Sequence, residues 1–463
     1  MEMVKLRKLS FSNAYSSHSV YSFNYIVYIC ICLLLFVTNA NGFSPTIQLP
    51  TSGLFRNTSY LSKTLVLNIN DFGAQGDGFT DDTKTLEDIW TLACSSLSHS
   101  KIVIPAGKSY LVRPINFAGP CHSKVTLRIS GTIVSPRDPE VWKGLNIHRW
   151  FYFHGVKNLI IEGGGVLDGR GEEWWARSCK INKTNPCTHA PTAITFHRCK
   201  NLKVRNLTTI NSQQMHMAFT TCRRVAVSHL NVLAPADSPN TDGIHISASK
   251  RVKLTNIIVS TGDDCISIVS NSSRIHMKNI VCGPGHGISI GSLGKANSSA
   301  YVQNVSLDGA YLFNTENGLR IKTWQGGSGF ARKIKFQNVW MKNVSNPIII
   351  DQYYCDSSSP CPNQTSSVSI DSVSFRNIRG TSATEVAILF ACSESFPCRR
   401  LYLKNIQLTS ASGGITRSFC WEAYGKSSGL IYPAPCISSG EMIIGVNVKS
   451  NSTQRHKVDY ALL

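Results

Sequence analysis

Acidic side chains are in short supply: 27 Asp and Glu stand against 47 Lys and Arg in 463 residues, a formal charge of +20. A balance this basic suits nucleic acid, a membrane surface or an acidic polymer as partner. Long apolar runs are scarce as well. The main one, Ile26 to Val37, is too short to span a bilayer comfortably, and it follows a largely polar stretch with Lys5, Arg7 and Lys8. Residues 1–42 therefore read as a signal peptide with a long charged lead, a retained signal anchor being the alternative. No Cys/His set has four-ligand zinc spacing, and hairpin dipeptides between strands are few, Asn317-Gly318 being the main one. These gaps speak against a zinc protein and against an all-β sandwich. No metal and no cofactor is expected.

Loss of the leader takes Cys30 and Cys32 with it and leaves 14 cysteines, an even number suited to an oxidising compartment, with disulfides as the default state. Nine Asn-x-Ser/Thr sequons, from Asn57 to Asn451, fit passage through the secretory route. A secreted protein without stable membrane insertion is expected, which removes nucleic acid as a partner and leaves an acidic polymer. Residues 43–63, rich in Ser, Thr and Pro without periodicity, read as a flexible lead.

From residue 64 to 463 one catalytic solenoid is expected, since repeat folds run to this length as single units. Val66 to Ile69 forms a strand, and Asp71 to Gly78 a turn-rich loop. Leu86, Ile89, Trp90 and Ala93 then recur at helical spacing, with Thr80 or Asp81 as the cap. Such a helix would cover the open first coil. No second helix is evident. Instead an apolar-x-apolar-x-polar-apolar unit recurs, as in Leu202-Lys-Val-Arg-Asn-Leu207, Val252-Lys-Leu-Thr-Asn-Ile257, Ile334-Lys-Phe-Gln-Asn-Val339 and Leu401-Tyr-Leu-Lys-Asn-Ile406. Alternation argues strands with one face inward, and Asn at the corners suits a left-handed bend or a side-chain hydrogen-bond ladder. Stacked coils of this period predict an all-β, single-stranded parallel β-helix with an N-terminal capping helix. Cys199 and Cys222 start adjacent coils, and Cys265 with Cys282 could cross-link coils. The pairs Cys94–Cys121, Cys179–Cys187, Cys355–Cys361, Cys392–Cys398 and Cys420–Cys436 are plausible by proximity.

Four segments between residues 240 and 322 superimpose: Asp242-Gly-Ile-His-Ile246, Asp264-Cys-Ile-Ser-Ile268, His286-Gly-Ile-Ser-Ile290 and Asn317-Gly-Leu-Arg-Ile321. The first three start 22 residues apart. In stacked parallel strands equivalents sit roughly 4.8 Å apart, so Asp242, Asp264 and His286 form a column. Asp263 adds a third carboxylate; Arg320 and Lys322, opposite in parity to the inward Leu319 and Ile321, add two cations. Such a patch can perform acid–base chemistry on an anion. Taken singly, each aspartate could be an ordinary turn residue ahead of a strand; aligned in one column they point to a site. Asn317 is expected to be structural.

Ser238-Pro-Asn240-Thr-Asp242-Gly243, Gly262-Asp-Asp-Cys265, Gly283-Pro-Gly-His-Gly287 and Arg320-Ile-Lys322 together resemble the four signature motifs of plant polygalacturonases, in family 28 of the glycoside hydrolases. The likeness runs from Phe72-Gly-Ala74 through Gly164 to Trp175 and on to Asp351-Gln-Tyr-Tyr-Cys355. It implies a right-handed, pectin-lyase-like β-helix and an inverting hydrolase of α-1,4-galacturonan in the cell wall, acting as a monomer on homogalacturonan. In that family pattern Asp263 would be the general acid, Asp242 and Asp264 would activate the attacking water, and His286 would tune or share the acid's proton. Asn240, Arg320, Lys322 and Tyr353 would contact substrate. Such chemistry needs one protonated and one ionised carboxyl, generally about 6.5 to 9.5 Å apart in an inverting enzyme. The chain departs from the pattern beside the site, with Ala190-Pro191 where Arg-Pro is usual and Asn211-Ser-Gln213 where Asn-Ser-Pro is usual, so fine specificity is not implied. Rhamnogalacturonan or xylogalacturonan hydrolysis is the nearest alternative. A pectate lyase would use calcium-binding carboxylates and a basic proton abstractor, and a silent wall-binding solenoid would lack the acids.

Overall fold

The computed structural model describes residues 64–357 and 359–439. The expected signal peptide, the lead to residue 63, the tail from residue 440 and the sequons at Asn57 and Asn451 lie outside them. Among the described residues no helix is long and apolar enough to cross a membrane.

The three apolar positions of the recurring unit are buried: Val225, Val227 and Leu230 in one coil stack under Val252, Leu254 and Ile257 in the next. The strands form a 17-stranded and an 11-stranded sheet. In the smaller sheet, chain order and spatial order coincide: Met217–Thr220, Ile244–Ser247, Ile266–Ile268, Ile288–Leu293, Asn317–Thr323 and Asn346–Asp351 pair in sequence, always parallel. That is a right-handed parallel β-helix, the hand that right-twisted strands impose on parallel crossovers.

The corner asparagines do both things expected of them. Asn256, Asn279, Asn338, Asn377 and Asn405 are all left-handed, with φ between 52° and 58°. Their side chains also form a ladder, Asn279 donating to Asn256 (3.0 Å) and Asn405 to Asn377 (3.1 Å). Asn tolerates this bend at lower steric cost than most residues, and each ladder bond contributes about 1 kcal/mol.

Helix Thr83–Ser95 buries Leu86, Ile89, Trp90 and Ala93. The Trp90 ring meets Phe117 edge-on at 5.0 Å and closes the first coil, while Phe153, Phe196 and Phe219 continue the stack inside. Its N-cap is Asp82 rather than Thr80 or Asp81, and the Asp82 carboxylate serves the preceding turn, accepting from the amides of Gln75 (2.8 Å) and Gly76 (3.1 Å). A second helix does exist, Glu172–Ala176. Its 5 residues are too few to show a period; Trp174 is buried, and Trp175 donates from its indole to the Ser212 carbonyl (3.0 Å). All six anticipated disulfides form. The default of full pairing fails at Cys199 and Cys222, which remain buried thiols and donate to the carbonyls of Phe153 (3.6 Å) and Phe196 (3.2 Å). They pack as small apolar side chains.

Candidate active site

The register aligns Ile244 with Ile266, Ile288 and Leu319, so Asp242, Asp264, His286 and Asn317 each stand two residues before equivalent positions. The coils approach so closely that a Cβ on Gly287, whose φ is +84°, would lie 2.0 Å from the Asn317 carbonyl oxygen. Only glycine fits after His286.

Of the three carboxylates, Asp263 is the accessible one, its side chain 17% exposed against 3% for Asp264. One Asp263 oxygen accepts from the Asp264 amide (2.7 Å) and lies 3.1 Å from His286 Nδ1; the other accepts from Asn240 Nδ2 at 3.1 Å. Asp264 is held on both oxygens, with acceptor capacity left on Oδ2: Oδ1 accepts from Ser289 (2.6 Å) and Arg320 Nη2 (2.7 Å), and Oδ2 from Lys322 Nζ (2.9 Å). Asp242 accepts from Ser267 at 2.7 Å. Asp263, Asp264 and His286 bring polar atoms within 4.8 Å of one another.

Crowding splits the protonation states. Burial, then the charges of Asp263 and Asp264, push Asp242 well above the carboxylate range, so it is neutral in the free protein. Burial would also raise Asp263, but the hydrogen bond and charge of His286 hold it at about 2. Conversely, burial would lower His286, yet its bond to Asp263 and the charges of Asp263 and Glu316 raise it above its ordinary value. In the free protein the proton of this pair rests on the imidazole.

Arg320 and Lys322 face the acids as their parity predicts, but they are 7% exposed and committed in part to Asp264. Tyr353 donates from its hydroxyl to the Cys392 carbonyl (3.2 Å), whereas the ring facing Lys322 Nζ, at 5.2 Å, belongs to Tyr354. Sequence reasoning missed Ser267 and Ser289, the outward middle residues of apolar-polar-apolar triplets, whose register with His245 and Arg320 was legible. It also missed Glu316, whose carboxylate lies 3.2 Å from His286 Nε2. Nothing in the repeat marks Glu316, because it precedes the aligned column by one residue.

Glu316 yields a testable consequence. Glu316→Gln removes a charge that raises the His286 pKa, so the proton is lost at lower pH. The alkaline limb of the kcat/KM profile should move toward acid while turnover on the acid side is retained. An unmoved limb would show that the limb does not report His286.

Beside Asn240 a cavity of about 370 Å³ is bordered by Trp142, Lys143, Trp174, Arg177, Ala190 and Gln213. Beyond it Lys180, next to the Cys179–Cys187 disulfide, reaches Asp356 at 2.5 Å.

Residues 94–426 match the family described as Glycosyl hydrolases family 28. The chain is 55% identical over 424 residues to a probable polygalacturonase of Arabidopsis thaliana, covering 91% of this chain and 95% of that one. It is 54% identical over 354 residues to a polygalacturonase of Persea americana, covering 76% of each. Among solved structures, the polygalacturonase of Erwinia carotovora shares the fold with a TM-score of 0.64 at 22% identity, covering 83% of this chain and 100% of that one.

Proposed function

The chain belongs to family 28 of the glycosyl hydrolases, and from that membership we propose that it hydrolyses the α-1,4-galacturonosidic bonds of polygalacturonate with inversion. The observation that carries the reading is one accessible carboxyl, Asp263, sharing a proton with His286 beside a buried carboxylate held by two cations. Asp263 is the general acid. It takes the His286 proton across their 3.1 Å contact as substrate displaces water, then passes it to the glycosidic oxygen. Asp242, neutral in the free protein, orients the attacking water, and Asp264 accepts the proton that the water loses. Asn240 holds the second oxygen of Asp263 in place. Arg320 and Lys322 offer substrate carboxylates the donors not spent on Asp264, Arg320 through its planar fork, and Tyr354 with Tyr353 borders the bound sugar.

The leader, the sequons and the six disulfides support action outside the cell, at the wall. Galacturonan substituted with side sugars is the second reading, favoured by the cavity beside Asn240, where Ala190 leaves open space.

On de-esterified polygalacturonate at mildly acid pH, new reducing ends should appear without an unsaturated chromophore, and the first-formed product should be the β-anomer. A double-bond absorbance or an absolute calcium need would indicate elimination instead, and an α-anomer would indicate retention.

A further inference from the structure

The larger sheet carries a feature that the cleft does not use. Its strands Arg223–Leu233, Lys250–Ser260 and Ser273–Cys282 hold seven Lys and Arg and no Asp or Glu. Register stacks these charges. Lys157 pairs with Lys200, Lys200 with Arg223 and Arg223 with Lys250, a cation on each of four successive coils. Immediately after them Arg224, Arg251 and Arg274 form a second column, displaced by one residue and equally exposed. Cations therefore recur roughly every 4.8 Å along the solenoid axis. Among the described residues none of the seven side chains in these two columns has a hydrogen-bond or ion-pair partner.

Backbone conformation adds a second observation. Arg224, Arg251 and Arg274 have φ of 60°, 61° and 58°, whereas the preceding two coils place Asn158 and Asn201 at the same corner with φ of 57° and 56°. A left-handed bend favours Asn and disfavours long side chains. Three arginines at such a corner raise the local cost of folding and of mutual repulsion without any internal partner. A linear polyanion lying across the coils would offset both.

We propose that this face is a second, non-catalytic binding site for a linear polyuronate chain lying along the solenoid axis. The cleft residues lie on, or in the turns just before, strands of the other sheet, so one molecule can hold wall polymer on this face while its cleft engages another strand. Choice of polyuronate rests on the proposed substrate, which carries one carboxylate per sugar; the charge ladder itself rests on register alone.

The test uses Arg224→Asn, Arg251→Asn and Arg274→Asn together. Asn already occupies this corner in neighbouring coils, so the fold should tolerate all three. In an Asp263→Asn background, which leaves the polymer uncut, the triple variant should bind de-esterified polygalacturonate roughly tenfold more weakly at low salt. The difference should vanish as salt screens exposed charges. With Asp263 intact, the same triple change should leave turnover of short soluble oligogalacturonates unchanged. Equal retention of parent and triple variant would overturn the proposal, as would a parallel loss of short-oligomer turnover. Binding to anionic vesicles or nucleic acid as tight as to polygalacturonate at matched salt would overturn the assignment to polyuronate. If the intact protein failed to hydrolyse galacturonan, the catalytic reading would fall while the binding difference still reported on this face.

Discussion

Asp263→Asn should lower turnover by about 10²- to 10⁴-fold, the usual contribution of a positioned general acid, with KM changed little. Asn keeps the shape of Asp263; its amide oxygen can still accept from the Asp264 amide, and its NH2 can donate to the Asn240 oxygen once that side-chain amide turns over, so folding and substrate binding survive. What disappears is a carboxyl that can take a proton from His286 and release it at the glycosidic oxygen. The loss falls on a transition-state interaction, and therefore on kcat. Activity within a few-fold of the parent would show that the proton comes from elsewhere, Asp242 being the next candidate because it is the neutral carboxyl of the free protein. Replacing Asn317, in the same column but linked to Asp263 only at a distance, through Glu316 and His286, should affect the chemistry far less.

Arg320→Ala should carry two separable losses. The first is on substrate. A charge-assisted contact removed from a sugar carboxylate costs about 1.5 to 3 kcal/mol, or one to two decades in kcat/KM. The second is on the fold. Arg320 Nη2 lies 2.7 Å from Asp264 and its Nε donates to Ser289 at 2.9 Å, with the side chain only 9% exposed. Breaking a buried pair by removing one partner generally costs about 3 to 5 kcal/mol, and Lys322, 2.9 Å from the other Asp264 oxygen, should hold the loss near the lower end. Denaturant midpoints and kinetics measure the two separately. The kinetic defect should also shrink on methyl-esterified pectin, which lacks the charge that Arg320 reads. If parent and variant fell by the same factor there, Arg320 would act only by holding Asp264 in place.

Much of this protein is legible in one dimension. Apolar-polar alternation fixes which side chains face inward, and a 22-residue return fixes which residues align, because both depend only on counting along a strand and around a coil. Hence the β-helix, the capping helix and the column of Asp242, Asp264 and His286 could be placed before any coordinates, whereas the six disulfides are only plausible by proximity until the coils are stacked. The short helix at Glu172 escaped because it lacks a period, and the helix cap was misplaced by one residue because the Asp82 carboxylate answers a turn rather than the helix.

Only the stacked coils decided the remainder. That Cys199 and Cys222 stay thiols, that Ser267 and Ser289 clamp the carboxylates, and that Arg320 and Lys322 both bind Asp264 depend on separations of a few ångströms between residues far apart in the chain. The same holds for protons. Burial and neighbouring charge raise Asp242, and the Asp263–His286 contact lowers Asp263 and raises His286; a local pattern carries neither quantity, because electrostatic energy depends on distance and on exclusion of water rather than on sequence spacing.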